Sequence, residues 1–153
     1  MGKLIRVDMA NGSVRMEDPT ADYEKLGGRA LTSTLVAQEV PPLCHPLGPD
    51  NKLVIAPGLL SGTNCANSGR LSVGGKSPLT GGIKESNVGG NVAIKLGKLG
   101  ISGIVLENQS TDGKLYYLQV DKDGAKLLPA DEYKGLKNYD LASRLQEKHG
   151  AKV

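Results

Sequence analysis

The sequence predicts an α+β domain with antiparallel-rich sheets and outer helices. Three observations predict it: two hairpin patterns of alternating residues, a segment of helical spacing after each hairpin, and short apolar runs of buried-strand length. The order hairpin, helix, strand occurs once in full and starts again in the second half. This approximate internal duplication breaks off at Ala151-Lys152-Val153, where the first copy's pattern predicts a returning strand. Residues 1–153 therefore read as one domain, with a truncated second copy, belonging to a longer protein.

The elements follow in order. Leu4 to Met9 and Ser13 to Glu17 alternate around Asn11-Gly12, a two-residue type I′ turn signal, and predict a hairpin. After Asp18-Pro19-Thr20, residues 21–40 have helical composition, with Ala30, Leu31, Leu35 and Val36 on one face. Gly27-Gly28 interrupts the first half, so either a loop precedes the helix or the helix starts near Arg29. A Pro-rich connector, PPLCHPLGP, leads to a buried strand over Lys52 to Pro57 and a further strand over Arg70 to Gly74. Ile101 to Glu107 reads as another strand. Lys114 to Val120 and Ala125 to Leu128 flank Asp123-Gly124 as a second hairpin. A final helix runs from about Tyr139 to His149, with Leu141, Ala142 and Leu145 at helical spacing and Gly150 as its cap.

Between the two units lies a glycine-rich stretch, Ser61 to Gly100, with single Arg, Lys and Asn residues set between the glycines. Such a stretch is either a backbone cradle for an anionic or strongly hydrogen-bonding ligand, or a set of tight turns between short strands. It ends in a short helix over Asn91 to Leu99, with Val92, Leu96 and Leu99 on one face, Asn91 as N-cap and Gly100 as stop. Asn87-Val88-Gly89-Gly90 thus precedes a helix N-terminus, which favours an anion such as a cofactor phosphate, though an ordinary capped helix has the same groups.

Composition removes several function classes. The chain has no Trp, no Phe and five Tyr, so its core is aliphatic and it lacks stacking platforms for single-stranded nucleic acid. A net charge of +3 scattered among carboxylates gives no basic face, and no nucleic-acid partner is expected. The opening residues have no apolar leader and no run reaches membrane-spanning length, so a cytoplasmic protein without a membrane partner is expected. Cys44 and Cys65 are too few and too far apart for a zinc or iron–sulfur site of their own. Lys76-Ser77-Pro78-Leu79-Thr80-Gly81-Gly82 lacks the order of a P-loop, and Gly27-Gly28-Arg29 is no dinucleotide fingerprint. His45 and His149 read as a loop residue and a helix-end residue. Arg70, entering a strand from Asn67-Ser68-Gly69, offers a fork of donors to a phosphate or a heterocycle edge, or is a solvated strand-end arginine.

Taken together, the opening hairpin, Gly27-Gly28-Arg29-Ala30-Leu31, Pro49-Asp50-Asn51-Lys52-Leu53, Ser68-Gly69-Arg70, the 76–82 segment, Asn87-Val88-Gly89 and Gly103-Ile104-Val105-Leu106-Glu107 resemble, in order, the N-terminal domain of the aldehyde ferredoxin oxidoreductase family. The resemblance implies an α+β unit of pseudo-twofold repetition that forms the base under a tungsten or molybdenum bis-pterin cofactor, with magnesium bridging the pterin phosphates. It implies that Arg70 contacts a pterin near the iron–sulfur cluster, that the Asn87 backbone carbonyl holds the magnesium, and that Gly89 and Val88 touch the cofactor through their backbones. The family's 4Fe-4S ligands, including a CxxCxxxC run, match neither Cys44 nor Cys65 and are expected in later domains or subunits. The function implied is the cofactor base of an oxidoreductase interconverting aldehydes and carboxylic acids, with ferredoxin or another carrier as electron partner; the chain alone is expected to be inactive. A reductase of aromatic thioesters belongs to the same superfamily. The alternative from a different class is a non-catalytic domain for small-ligand binding or protein interaction.

Overall fold

The computed structural model describes residues 2–150. Eight strands, three helices and one 3-10 turn follow the order β1 (Lys3–Asp8), β2 (Ser13–Glu17), α1 (Gly28–Glu39), β3 (Leu53–Pro57), β4 (Arg70–Lys76), β5 (Ile83–Gly89), α2 (Asn91–Lys98), β6 (Ile101–Glu107), β7 (Tyr116–Asp121), β8 (Gly124–Pro129), the turn Asp131–Tyr133, and α3 (Asn138–His149). Six strands form one sheet in the order β2-β1-β6-β3-β4-β5, and β7 and β8 pair as a separate two-stranded sheet. Among the described residues, β1 with β6 is the single parallel pairing. The α+β class with antiparallel-rich sheets and outer helices therefore holds. The returning strand expected at 151–153 lies outside the described residues.

The sheet is covered on both faces, which is why β1 buries Leu4 and Ile5 in succession. On one face, Leu31, Leu35 and Val36 of α1 pack with Leu4, Val54, Ala56 and Val105. Ala30, expected on that apolar face, is exposed, and Thr32 is buried instead. On the other face, Ala93 and Leu96 of α2 pack with Ile5, Val7, Leu71, Ile101 and Ile104, and Leu118, Val120, Ala125 and Leu127 of the second hairpin close over the same cluster. The buried face of α2 is thus Ala93 and Leu96, while Val92 stays exposed. The helix passes close to the loop after β3: a Cβ on Gly97 would lie 1.9 Å from the Ser61 carbonyl oxygen, so only glycine admits this approach.

Two turns differ from their expected form. Asp8 pairs with Ser13, so the first hairpin closes over four residues. The reason is the Asp8 side chain, whose Oδ1 accepts from the Ala10 N–H at 2.9 Å and whose Oδ2 accepts from Asn11 Nδ2 at 2.9 Å, stabilising the wider loop. In the second hairpin Asp121 pairs with Gly124, leaving Lys122-Asp123 as the turn. The final helix matches expectation and ends at Gly150, although Ala142 is exposed and none of its residues is fully buried.

Candidate functional site

The glycine-rich stretch is not a string of loops. Residues 83–89 form the edge strand β5, paired with β4 from Lys76–Ile83 through Arg70–Gly89. Asn87, Val88 and Gly89 therefore sit on a strand rather than in a turn. The N-cap of α2 is Gly90, at φ 123°, and Asn91 is already helical. That φ belongs to glycine, so the sharp exit from strand to helix fixes the residue type. Gly100, at φ 71°, ends the helix region as expected. The segment 76–82 closes on itself: the Ser77 N–H donates to the Gly82 carbonyl at 2.8 Å, and Ser77 Oγ accepts from the N–H groups of Leu79 and Thr80.

Strand alternation decides which backbone groups of β5 are free. The Gly58 N–H donates to the Arg70 carbonyl at 3.0 Å, so Arg70, and with it Ser72, turns its backbone to β3. At the far end the Ser77 to Gly82 bond places the odd-numbered residues of β4 toward β5. Asn87, opposite Ser72, and Gly89, opposite Arg70, consequently direct N–H and C=O to the free sheet edge. Val88, opposite Leu71, turns its backbone inward and offers its half-exposed side chain instead.

Arg70 lies along this edge. Its Nε donates to Asn87 Oδ1 at 2.7 Å, and its Nη1 stands 3.3 Å from where a Cβ on Gly89 would be. Among the described residues the terminal nitrogens of the guanidinium meet no acceptor. Behind this pair, Glu85 Oε1 accepts from Ser72 Oγ at 2.8 Å and from Asn87 Nδ2 at 3.4 Å, while Glu85 Oε2 faces Arg29 Nε at 3.3 Å. The buried Ser72 and Thr32 hydroxyls are 3.0 Å apart, tying the cluster to α1. The Ser72 hydroxyl, with Asn87 and Arg29 beside it, holds the Glu85 carboxyl below the usual range.

A second charged cluster occupies the same face farther along the sheet. Arg6 donates to Glu17 at 2.5 Å and to Glu39 at 2.7 and 2.8 Å, and Lys52 reaches Glu39 at 2.7 Å and Glu107 at 2.9 Å. Burial raises the Glu39 carboxyl, but its bonds to Arg6 and Lys52 outweigh this and hold it at about 2. Burial, together with Glu39, pushes the Tyr23 phenol up to about 12. Neither Glu85 nor this second cluster was expected from the sequence. The partners are 33 to 101 positions apart in the Arg6 bonds to Glu39 and Glu107, and no local spacing announces them. Cys44 and Cys65 are free thiols, and His149 lies with Nε2 3.3 Å from the Tyr117 hydroxyl.

Among the described residues no three His, Cys, Asp or Glu side chains converge as a metal site. The β4–β5 edge offers a different donor set: a guanidinium with open donors, an outward carbonyl at Asn87, and side-chain-free backbone at Gly89 and Gly90. Such a set fits an anionic group at the guanidinium and a cation at the carbonyl.

Comparison with known proteins gives this fit its context. Residues 4–153 match the family model described as "Aldehyde ferredoxin oxidoreductase, N-terminal domain". The tungsten-containing aldehyde ferredoxin oxidoreductase of Thermococcus kodakarensis is 39% identical over 122 residues, covering 78% of this chain and 20% of that protein. The enzyme of the same description from Pyrococcus furiosus is 33% identical over 152 residues, covering 98% of this chain and 25% of its own length. Among solved structures, the active site complex BamBC of benzoyl coenzyme A reductase, in complex with 1,5-dienoyl-CoA, superposes with a TM-score of 0.87 at 30% identity, over 96% of this chain and 22% of that one. The chain thus spans a fifth to a quarter of the length of these relatives, and it belongs to the aldehyde ferredoxin oxidoreductase family, of which it matches the N-terminal domain.

Proposed function

We propose that this chain, residues 1–153, is the base domain of an oxidoreductase that interconverts aldehydes and carboxylic acids and exchanges electrons with ferredoxin or a similar carrier. The observation that carries this reading is the β4–β5 edge, where Arg70 is held by Asn87 with its outer donors open. Arg70 binds the pterin edge. The Asn87 carbonyl, directed away from β4, would hold the magnesium that accompanies the cofactor. Gly89 lets the cofactor approach the backbone, and Val88 adds its side chain beside it. The tungsten or molybdenum bis-pterin group would supply two-electron redox chemistry when bound, while this chain's residues bind and orient it. Ligands of the 4Fe-4S cluster and the substrate pocket belong to the remaining domains or subunits, since the matched segment is only a fifth to a quarter of these relatives. The free thiols fit a reducing, cytoplasmic setting, and among the described residues no helix is long and apolar enough to cross a membrane.

The likeness to the benzoyl coenzyme A reductase complex favours a second reading of substrate, an aromatic thioester, on the same base. The two readings share the Arg70 site. Its test is the metal and pterin content of the enzyme that contains this domain, carrying Arg70→Ala or Asn87→Ala. The Asn87 variant keeps its carbonyl but loses the Oδ1 that holds Arg70, so both are expected to lose cofactor; full content in both contradicts the reading. Turnover of aldehyde by the purified 153-residue chain with an electron acceptor would contradict its assignment as a base that needs further domains.

A further inference from the structure

We propose that Glu85 is the positioning residue of this edge: it orients the Asn87 amide and, through it, the Arg70 guanidinium. The inference rests on the cofactor-base reading for its consequence, but not for its geometry. Every other residue of β5 is exposed, whereas the Glu85 side chain is 13% exposed. A carboxylate withdrawn from water on an otherwise wet edge strand needs compensating donors. It has three: Ser72 Oγ at 2.8 Å, Asn87 Nδ2 at 3.4 Å and Arg29 Nε at 3.3 Å. Ser72 is fully buried and backed by Thr32 of α1, so the carboxylate is anchored to the core rather than to the loop.

The consequence follows from the chemistry of an amide. An Asn side chain has one end that donates and one that accepts. Because Glu85 accepts from Nδ2, Oδ1 is the end turned to Arg70, where it accepts from Nε at 2.7 Å. Using Nε in this way leaves the two terminal nitrogens of Arg70 for a ligand. A flipped amide would present its NH2 to the guanidinium, donor against donor, and release the side chain. Glu85 touches no ligand in this scheme; it acts through Asn87.

The test uses the enzyme that contains this domain, as Glu85→Ala and Glu85→Gln. Crystal structures are expected to show the contact between Arg70 Nε and Asn87 Oδ1 lost in the alanine variant. It should be kept in the glutamine variant, whose amide oxygen still accepts from Ser72 and Asn87. Retention of the contact in Glu85→Ala overturns the proposal, whatever happens to the cofactor. Cofactor affinity is expected to fall about three- to tenfold in Glu85→Ala, the scale of one lost hydrogen bond. No further fall should follow when the change is added to Arg70→Ala, because Glu85 acts through that arginine. An equal fall in both backgrounds overturns the proposal. Full cofactor content in Arg70→Ala alone would instead sink the cofactor-base reading, and Glu85 would still be judged by the crystallographic contact.

Discussion

Two arginines on one face of one sheet meet opposite circumstances. Arg6, on an interior strand, is 11% exposed and is answered by Glu17, Glu39 and Glu107. Arg70, entering the strand next to the edge, is exposed, and its guanidinium donates only to Asn87 among the described residues. The first cluster closes its charges within the domain and joins β1, β2, β6 and α1. The second leaves donors and a backbone carbonyl directed outward. A folded chain that needs its charges for stability pairs them; one that keeps open donors on a braced side chain has them available for a ligand.

The largest effect that could break this comparison is expected from Arg6→Ala. It leaves Glu17 without its cation and takes one cation from Glu39 and Glu107, which keep Lys52, around a half-dry site, and should lower unfolding free energy by about 3 kcal/mol. A chemical denaturation midpoint unchanged from the parent protein would show that the closed cluster is not structural. Gly97→Ala comes next. With the Ser61 carbonyl 1.9 Å from the new methyl position, the loop leading toward Arg70 must move, at a cost of about 2 kcal/mol by overpacking.

The pH dependence sharpens the same contrast. Glu39 is depressed to about 2 in the folded chain, so its contribution is present above the ordinary carboxylate value of 4.5 and is lost as pH falls toward 2. Tyr23 is raised to about 12, so stability is full below 10 and is lost as pH rises from 10 to 12. Denaturation curves of Glu39→Gln against pH should have a shallower acid limb than the parent; an identical limb would remove Glu39 from the account. Smaller still is Arg15→Ala, whose partner is Glu107 at the rim: with a 59% exposed side chain it should cost about 0.5 kcal/mol or less.

The elements whose signal is local were legible in the sequence. Ile101 to Glu107 was readable to the residue because its apolar run is buried on both faces, and α3 because Asn138 to His149 keeps helical spacing up to Gly150. Strand β5 was not, since IKESNVG lies at an exposed edge and has neither an apolar face nor alternation to mark it. Its glycines looked like turns because composition cannot tell a turn glycine from a strand-end glycine such as Gly89. Arg70 was legible as a donor at a strand start, but Glu85 was not, because its meaning depends on Ser72 and Thr32 lying beneath it. The Arg6 cluster was invisible for the same reason: its partners meet only when β1, α1 and β6 are side by side.

One paired measurement tests the division of roles most directly: thermal unfolding and metal-and-pterin content of the enzyme containing this domain, for Arg6→Ala and Arg70→Ala in parallel. Arg70→Ala should leave the stability of the domain within about 0.5 kcal/mol of the parent while cofactor content falls. Arg6→Ala should lose stability and, in the fraction that remains folded, keep its cofactor. An Arg70→Ala enzyme with full cofactor content, or one that loses cofactor only because it unfolds, would contradict the assignment of the β4–β5 edge as the ligand-holding end of the sheet.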